Sequence, residues 1–599
     1  MTTNYSNLQA GNVSCPASAF KIFMEIVLKL FIEKQPPAPD LKNTYDFIVV
    51  GGGTAGSVVA NRLSEISSWS VLLLEAGVEQ PNMTDIPAYF PYVYSAPNLT
   101  WLYPTIPEPQ SCGGQSCFYP RGKMLGGSSS HNGMFYNRGN RKCFDNWRKS
   151  GNKGWSFNEV LPYFKKSEDN RDKDIALDKE FHSVGGELSV QRFQYHDQNF
   201  DAIMEALEEK RFPVVDFNGE SQNGRMWPQY TIQNGTRVST NTAFLEPIRK
   251  TRKNLVVVTG AFVTKVLISR TTRKVYGVEC VIKNSEKKII FATKEVILSA
   301  GVINSPQILQ LSGVGPAEIL SPLHIPVIKN LQGVGRNFQD HALTSVLNVK
   351  VNKAPKFPKT WKDLSRELDK YLKNRDGPLS GTSTPNLYWS SKNSHKEIPD
   401  MFYIFFQTNV NNYNLSNNCY NFGSVVTSFN YYNSITVIPM LVTPKSRGSV
   451  LINSSDPFVA PLIIPNLLSN SDDMEALVEA NQFGVEILQS DTLKQNGIVV
   501  DRTPISKCSH LEFGTKNYWK CVVWGSVWPG FHGVGTCKMG PKDDLNAVVD
   551  SNIKVHGISG LRVIDASIMP EIVNAHTYAS TVMIGEKGAD LIKQTWLTV

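Results

Sequence analysis

The stretch from Tyr45 to Glu75 restricts the fold of this chain more than any other. Tyr45 to Val50 reads YDFIVV, a short apolar run suited to a parallel strand buried on both faces. Gly51-Gly52-Gly53-Thr54-Ala55-Gly56 follows and fits G-x-G-x-x-G. A helical stretch, SVVANRLSE, comes next, and Val71 to Leu74 forms a second apolar strand closed by Glu75. Strand, glycine turn, helix, strand and acid in this order describe a Rossmann-like unit. Gly51 permits the tight turn, Gly53 removes the side chain that would block a pyrophosphate, and Gly56 lets helix and strand pack closely. Thr54 and Ala55 open the helix, whose free N–H groups and partial positive charge face the phosphates. Glu75 stands where a ribose would be bound. The pattern predicts a dinucleotide and does not by itself separate FAD from a nicotinamide.

The chain has 599 residues, enough for two or more domains or one very large one. Apolar residues make up 41% and charged residues 19%, which is ordinary globular chemistry. Its net charge of +8 is spread without a long Lys/Arg run, so no nucleic-acid partner is expected. No apolar stretch is long enough for a transmembrane segment. The nearest, Ala19 to Ile32, is interrupted by Lys21, Glu25 and Lys29 and reads as an amphipathic helix. The first 17 residues hold no Lys or Arg, which argues against a cleavable signal peptide. Nine cysteines without metal-like spacing predict no metal site. Cys112 and Cys117, in SCGGQSC, are placed to close a local disulfide, which would imply an oxidising compartment. The compartment therefore stays open between a cytoplasmic and a non-classically secreted protein. Seven N-x-S/T sequons, at Asn4, Asn12, Asn82, Asn98, Asn234, Asn414 and Asn453, do not decide it.

Arg121 to Gly139 reads RGKMLGGSSSHNGMFYNRG. Its glycines and serines give permissive backbone and small donors that can lie flat against a polar ligand. With the Rossmann start, this segment resembles the first signature of the glucose–methanol–choline (GMC) oxidoreductases. GTRVSTNTAFLEP from Gly235, VILSAGVINSPQILQLSGVGP from Val296 and LQGVGRNFQDH from Leu331 resemble further blocks of that family, in the same order. The resemblance runs from Tyr45 to Ile592. It implies bound FAD, with Arg121, Gly126, Gly127, Ser128, Asn132 and Gly133 along the flavin and its pyrophosphate. It also implies Val263 at the adenine and Asp565, with Ala566, at the flavin. Insect members of the family commonly carry a cysteine pair like Cys112 and Cys117. His131 departs from the aliphatic residue most members have there. Some relatives with histidine at this place tether the flavin covalently, so covalent FAD through His131 is one expectation and a packed, unbonded ring the other.

Two histidines lie in C-terminal blocks: His532 in VWPGFHGVGTCKMG and His576 in VIDASIMPEIVNAHTYAS. Oxidising an alcohol removes a proton from oxygen and a hydride from carbon. A neutral imidazole suits the proton transfer, and a flavin accepts the hydride. The resemblance makes His532 the general base and His576 its partner, also at the flavin. His341 is expected to support the flavin region. His182, His196, His324, His395, His510 and His556 fit no constellation.

The fold class expected is α/β, a Rossmann-like FAD-binding domain with a second, antiparallel-sheet substrate domain. Residues 1–43 would be a leader, 44–345 the N-terminal part of the FAD domain with insertions, 346–524 the substrate domain, and 525–599 the return to the FAD domain. MFYIFFQ and SITVIPMLV read as strands of a sheet roofing the flavin. The middle region is rich in aromatics, including Trp389, Phe402, Tyr403, Phe405, Phe406, Tyr413, Tyr420, Phe422, Phe429, Tyr431 and Tyr432. Several of them facing a cavity would favour an apolar ring substrate. The substrate expected is a small-molecule alcohol, first a hydroxysteroid such as ecdysone with oxygen as acceptor. Glucose with a quinone acceptor and an aryl alcohol are the rivals. An inactive flavin- or ligand-binding homologue and a nicotinamide dehydrogenase are the readings from other classes.

Overall fold

A computed structural model describes residues 41–94, 96–283, 287–353, 361–392, 394, 397–408 and 432–597. The leader helix, Cys15, Cys419 and the aromatics from Tyr413 to Tyr431 fall outside these residues. The strand read at Tyr45 begins one residue earlier, Thr44–Val50, and is almost wholly buried. It lies between Val71–Glu75 and Lys287–Leu298, parallel to both. Leu255–Thr259 pairs parallel to Val71–Glu75 on one side, and Leu561–Val563 pairs parallel to Lys287–Leu298 on the other. Val275–Ile282 and Ala261–Ile268 extend the sheet as an antiparallel pair. In register, Val50 stands beside Leu74 and Leu298, and Leu298 beside Val563. The carboxyl ends of five parallel strands, drawn from both ends of the chain, thus share one edge. That edge is where an open α/β sheet binds its ligand.

Helix Thr54–Ser64 covers this sheet, and the last helix, Thr577–Leu597, packs on it. The approach is close: a Cβ on Gly585 would sit 3.0 Å from Val58 Cβ and 3.1 Å from Ala55 O. Arg562 on the last strand donates to Glu295 at 2.6 Å and 3.1 Å, a buried ion pair that locks the late strand to its neighbour.

The second sheet is antiparallel. Its order is Ile498–Val500, Leu347–Val351, Ser434–Leu441, Met401–Thr408, Asn386–Trp389 and Gly224–Met226. Ala342–Leu343 pairs with Ser434–Leu441 and with Trp528–Pro529. Three of these strands therefore come from outside 346–524. A sheet edge accepts any extended segment that passes it, and nothing in such short stretches marks the partner. Along Met401–Thr408 the side chains alternate. Tyr403 and Phe405 join the core beneath helix Ser471–Leu488, and Phe402 faces Phe217, Tyr388 and Met440. Asn470 caps that helix by accepting the Asp472 N–H, with Asp472 and Asp473 in its first turn.

Cys112 and Cys117 form the expected disulfide, and a second one, which the sequence had not suggested, joins Cys508 to Cys521. Among the described residues, no helix is long and apolar enough to cross a membrane, and no three His, Cys, Asp or Glu side chains group as metal ligands.

His182 does belong to a constellation. Its Nδ1 lies 2.9 Å from Glu168 and its Nε2 2.6 Å from Asp216, while Arg138 donates to Glu168 at 2.8 Å. Burial alone would lower the His182 pKa, but the carboxylates of Asp216 and Glu168 outweigh it and hold it raised.

Candidate functional site: a two-ended cavity

A cavity runs along the shared strand edge and encloses about 1600 Å³ of space, its open mouth included. One end is built from the glycine turn. Gly51 has φ +101°, and a Cβ there would lie 2.4 Å from the Ser299 carbonyl oxygen, so only glycine fits. Gly53, Thr54 and Ala55 line the cavity. Gly56 does not line it. A Cβ on Gly56 would sit 1.9 Å from the Gly51 carbonyl oxygen, so its task is close packing of helix on strand. Glu75 lines the wall and accepts the N–H of Gly52 and of Gly77, both at 2.8 Å. Burial pushes its pKa up to about 7 against those two bonds.

The glycine–serine loop lies directly over the turn. A Cβ on Gly127 would be 2.7 Å from Gly53 Cα, so two glycines meet face to face. Gly127, Ser128, His131, Asn132 and Gly133 line the cavity, as does Arg121. Gly126 does not. It stands behind at φ +82° and donates its N–H to Gly52 O at 2.8 Å, which pins the loop to the turn. Val263 and its neighbour Phe262 also line the cavity. Asp565 and Ala566 line it as well, and Asp565 accepts from Gly301 N–H at 2.9 Å and Ser305 Oγ at 2.6 Å. Helix Gly301–Leu311 thus also begins at the cavity, a second N-terminus able to meet an anion. In the sequence this block is marked only by its resemblance to the family.

The residues fit a flavin dinucleotide. Two helix N-termini, a glycine cradle that any Cβ would narrow and two buried acids suit pyrophosphate and ribose. Toward the other end, His131 Nδ1 and Arg121 Nε are buried with no hydrogen-bond partner among the described residues. The His131 ring meets Tyr94 edge-on at 4.9 Å, and burial holds its pKa well below the ordinary value.

That other end is a histidine cluster. His532 and His576 both line the cavity, with ring centroids 4.8 Å apart and planes at 80°. Phe135 stacks on His576 at 4.3 Å, and Phe402 meets it edge-on at 5.3 Å. Asn137 Nδ2 lies 3.4 Å from His576 Nδ1. His341 is in contact as well: its Nδ1 is 3.0 Å from His532 Nδ1, and its Nε2 is 3.0 Å from Val573 O. Asp340 accepts the backbone N–H of His532 at 2.8 Å and the hydroxyl of Tyr119. Burial lowers the pKa of His341 and His576 to about 3 and that of His532 well below 6.5, so all three rings are neutral near pH 7.

The sequence places His341 only in the flavin region, not beside His532, and does not single out Asp340, Tyr119 or Asn137. The adjacent Asp340 and His341 in NFQDH were the available signal. None of the described middle-region aromatics lines the cavity: Tyr403, Phe405 and Tyr432, with Trp389 against them, join one core and Phe402 the other. The cavity's aromatic walls are Tyr94, Trp101, Phe135, Phe262, Phe531 and Tyr578.

Two family models, both described as GMC oxidoreductase, match residues 45–343 and 444–585. The chain belongs to the GMC oxidoreductase family. GMC oxidoreductases bind FAD and act as oxidoreductases on alcohols and sugars. This GMC chain is 41% identical to the glucose dehydrogenase [FAD, quinone] of Drosophila melanogaster, over 97% of this chain and 94% of the relative. It is 35% identical to the ecdysone oxidase of Bombyx mori, over 92% and 82%. A crystal structure of formate oxidase superposes with a TM-score of 0.81 at 25% identity, covering 94% of this chain and all of the other.

Proposed function

We propose that this GMC protein oxidises a CH–OH group to a carbonyl at the histidine end of the cavity, with FAD along the remainder. The observation that carries this is the pair of neutral imidazoles, 4.8 Å apart at one end of a cavity whose other end is a dinucleotide cradle. Bound FAD supplies the hydride acceptor. His532 takes the hydroxyl proton as the substrate carbon gives up its hydride. His576 hydrogen-bonds the same oxygen and holds it in place as charge builds there. Phe135, stacked on His576, keeps that ring from turning. On this reading 44–345 and 525–599 form the FAD domain, apart from the short strands Gly224–Met226, Ala342–Leu343 and Trp528–Pro529, which join the sheet that 346–524 otherwise supplies above the substrate.

For the substrate we favour an alcohol on an apolar ring framework, such as a hydroxysteroid of the ecdysone type with oxygen as acceptor. Support comes from the apolar faces of Tyr94, Phe135 and Phe531 in the cavity wall, not from the middle-region aromatics. A sugar, with a quinone as acceptor, is the second reading. It is favoured by the 41% identity to a glucose dehydrogenase across nearly the whole chain.

The test is anaerobic bleaching of the bound flavin by ecdysone, glucose or salicyl alcohol, followed by readmission of air. Bleaching by ecdysone and rapid recolouring in air supports the steroid oxidase reading. Bleaching by glucose alone, with recolouring only on adding a quinone, moves the protein to the second. His532→Ala should keep its flavin and bleach about 10²–10⁴ times more slowly. Bleaching at the wild-type rate in that variant would remove the assigned base.

A further inference from the structure

Behind His532 lies a ring that the proposed chemistry has not used. His341 is fully buried and has no surface on the cavity. We infer that His341 is a positioning residue that determines which nitrogen of His532 receives the substrate proton. This rests on the reading of His532 as the base.

The argument follows from what each atom can do. A backbone carbonyl only accepts, so the His341 nitrogen 3.0 Å from Val573 O, Nε2, carries the hydrogen. A neutral imidazole carries one hydrogen, and burial keeps His341 neutral, with its pKa near 3. Its Nδ1 is therefore a lone pair. The atom facing that lone pair at 3.0 Å, His532 Nδ1, must then be the N–H. That leaves Nε2 of His532 as the lone pair, on a ring that lines the cavity. Val573, His341 and His532 thus form a directional chain that begins at a carbonyl unable to reverse it. Asp340 fixes the other coordinate by accepting the His532 backbone N–H at 2.8 Å. Gly530 keeps the space for this contact, since a Cβ there would come 3.1 Å from His341 Cβ and 3.2 Å from His532 Nδ1.

His576 is set the opposite way. The amide nitrogen of Asn137 only donates, so His576 Nδ1 accepts and its hydrogen sits on Nε2. One ring is therefore an acceptor and the other a donor before any substrate arrives. When His532 takes the proton it carries hydrogens on both nitrogens, and its Nδ1–H still donates to His341, so the relay holds the cation in the same orientation.

The test pairs a spectroscopic readout with kinetics. In wild-type holoenzyme labelled with ¹⁵N-histidine, the signals lost in His532→Ala identify the His532 ring. We expect its Nδ1 to be protonated and its Nε2 not. His341→Phe removes the acceptor, and flavin reduction should slow about 100-fold with substrate affinity within about twofold of wild type. His341→Asn puts an amide oxygen near the Nδ1 position and should recover most of the loss. An Nε2–H ring at His532 in the wild-type spectrum, which needs no variant of His341, would overturn the relay. So would wild-type reduction rates in His341→Phe while His532→Ala is inactive. Full activity in His532→Ala would instead remove the base itself, and the proposal with it.

Discussion

Arg62 and Glu586 grip each other through two hydrogen bonds, Nε to Oε2 at 2.8 Å and Nη2 to Oε1 at 2.7 Å, across 524 residues of chain. Arg62 ends the helix that follows the glycine turn, and Glu586 sits on the last helix, fully buried. Glu187 accepts the other face of the guanidinium at 2.6 Å and 2.8 Å. Burial would lower the Arg62 pKa, but Glu586 and Glu187 raise it. Arg62→Met should destabilise the protein by about 3–5 kcal/mol, because it strands a buried carboxylate. Lys166, 3.0 Å from Glu586, should keep the loss near the lower end. Urea unfolding of the purified variant measures it, and a change below about 1 kcal/mol would show the pair to be dispensable.

His182 gives the protein a pH-dependent term. Its folded pKa is raised above 6.5 by Asp216 and Glu168. A raised histidine contributes stability that is fully present below the unfolded value and lost as pH rises through the folded one. The gap in melting temperature between wild type and His182→Gln should therefore be widest below pH 6.5 and close at alkaline pH. A gap that widens with pH would contradict the assigned partners.

Gly53 and Gly56 should fail differently on conversion to alanine. A Cβ on Gly53 meets nothing closer than Gly127 Cα at 3.8 Å, so Gly53→Ala should fold normally yet hold FAD weakly. Gly56→Ala forces a methyl to 1.9 Å from the Gly51 carbonyl oxygen and should lose backbone stability as well. Melting the two apoproteins separates the effects, and equal melting temperatures would refute the distinction.

His131 should carry the flavin covalently. Its ring is neutral, lines the cavity and leaves Nδ1 unpartnered. After acid precipitation the yellow colour should stay in the wild-type pellet and move to the supernatant for His131→Ala. Colour in the wild-type supernatant would mean a packed ring and no bond.

What could be seen in the sequence was local. YDFIVV, the glycine turn and Glu75 are contiguous, and each has one geometric solution, so the first strand, first helix and cradle could be drawn from residues alone. His532 and His576 stood out because each sits in a recognisable block. The relay from Val573 through His341 could not be read. Its three members come from two distant segments, and the deciding fact is which ring nitrogen faces a carbonyl. The His182 cluster gathers residues 138, 168, 182 and 216 and has no signature for the same reason. The pairing of Cys508 with Cys521 is likewise one of many that nine cysteines permit. The aromatic middle misled in a physical way. Aromatics on a strand packed on both faces serve its two cores first.

The strand Leu561–Val563 completes the ligand-binding edge, and His576 follows it only thirteen residues later. During synthesis, then, the glycine turn leaves the ribosome long before the wall it needs. At about 5–20 residues per second, roughly 25–100 s separate Gly51 from His576. From the emergence of Lys287–Leu298 to that of Leu561–Val563, about half of that interval, the nascent chain must shelter an apolar parallel sheet open on its Leu298 side. Cofactor capture therefore waits for Leu561–Val563, Asp565 and His576, and a chain cut before Leu561 should aggregate and not fold as a colourless enzyme.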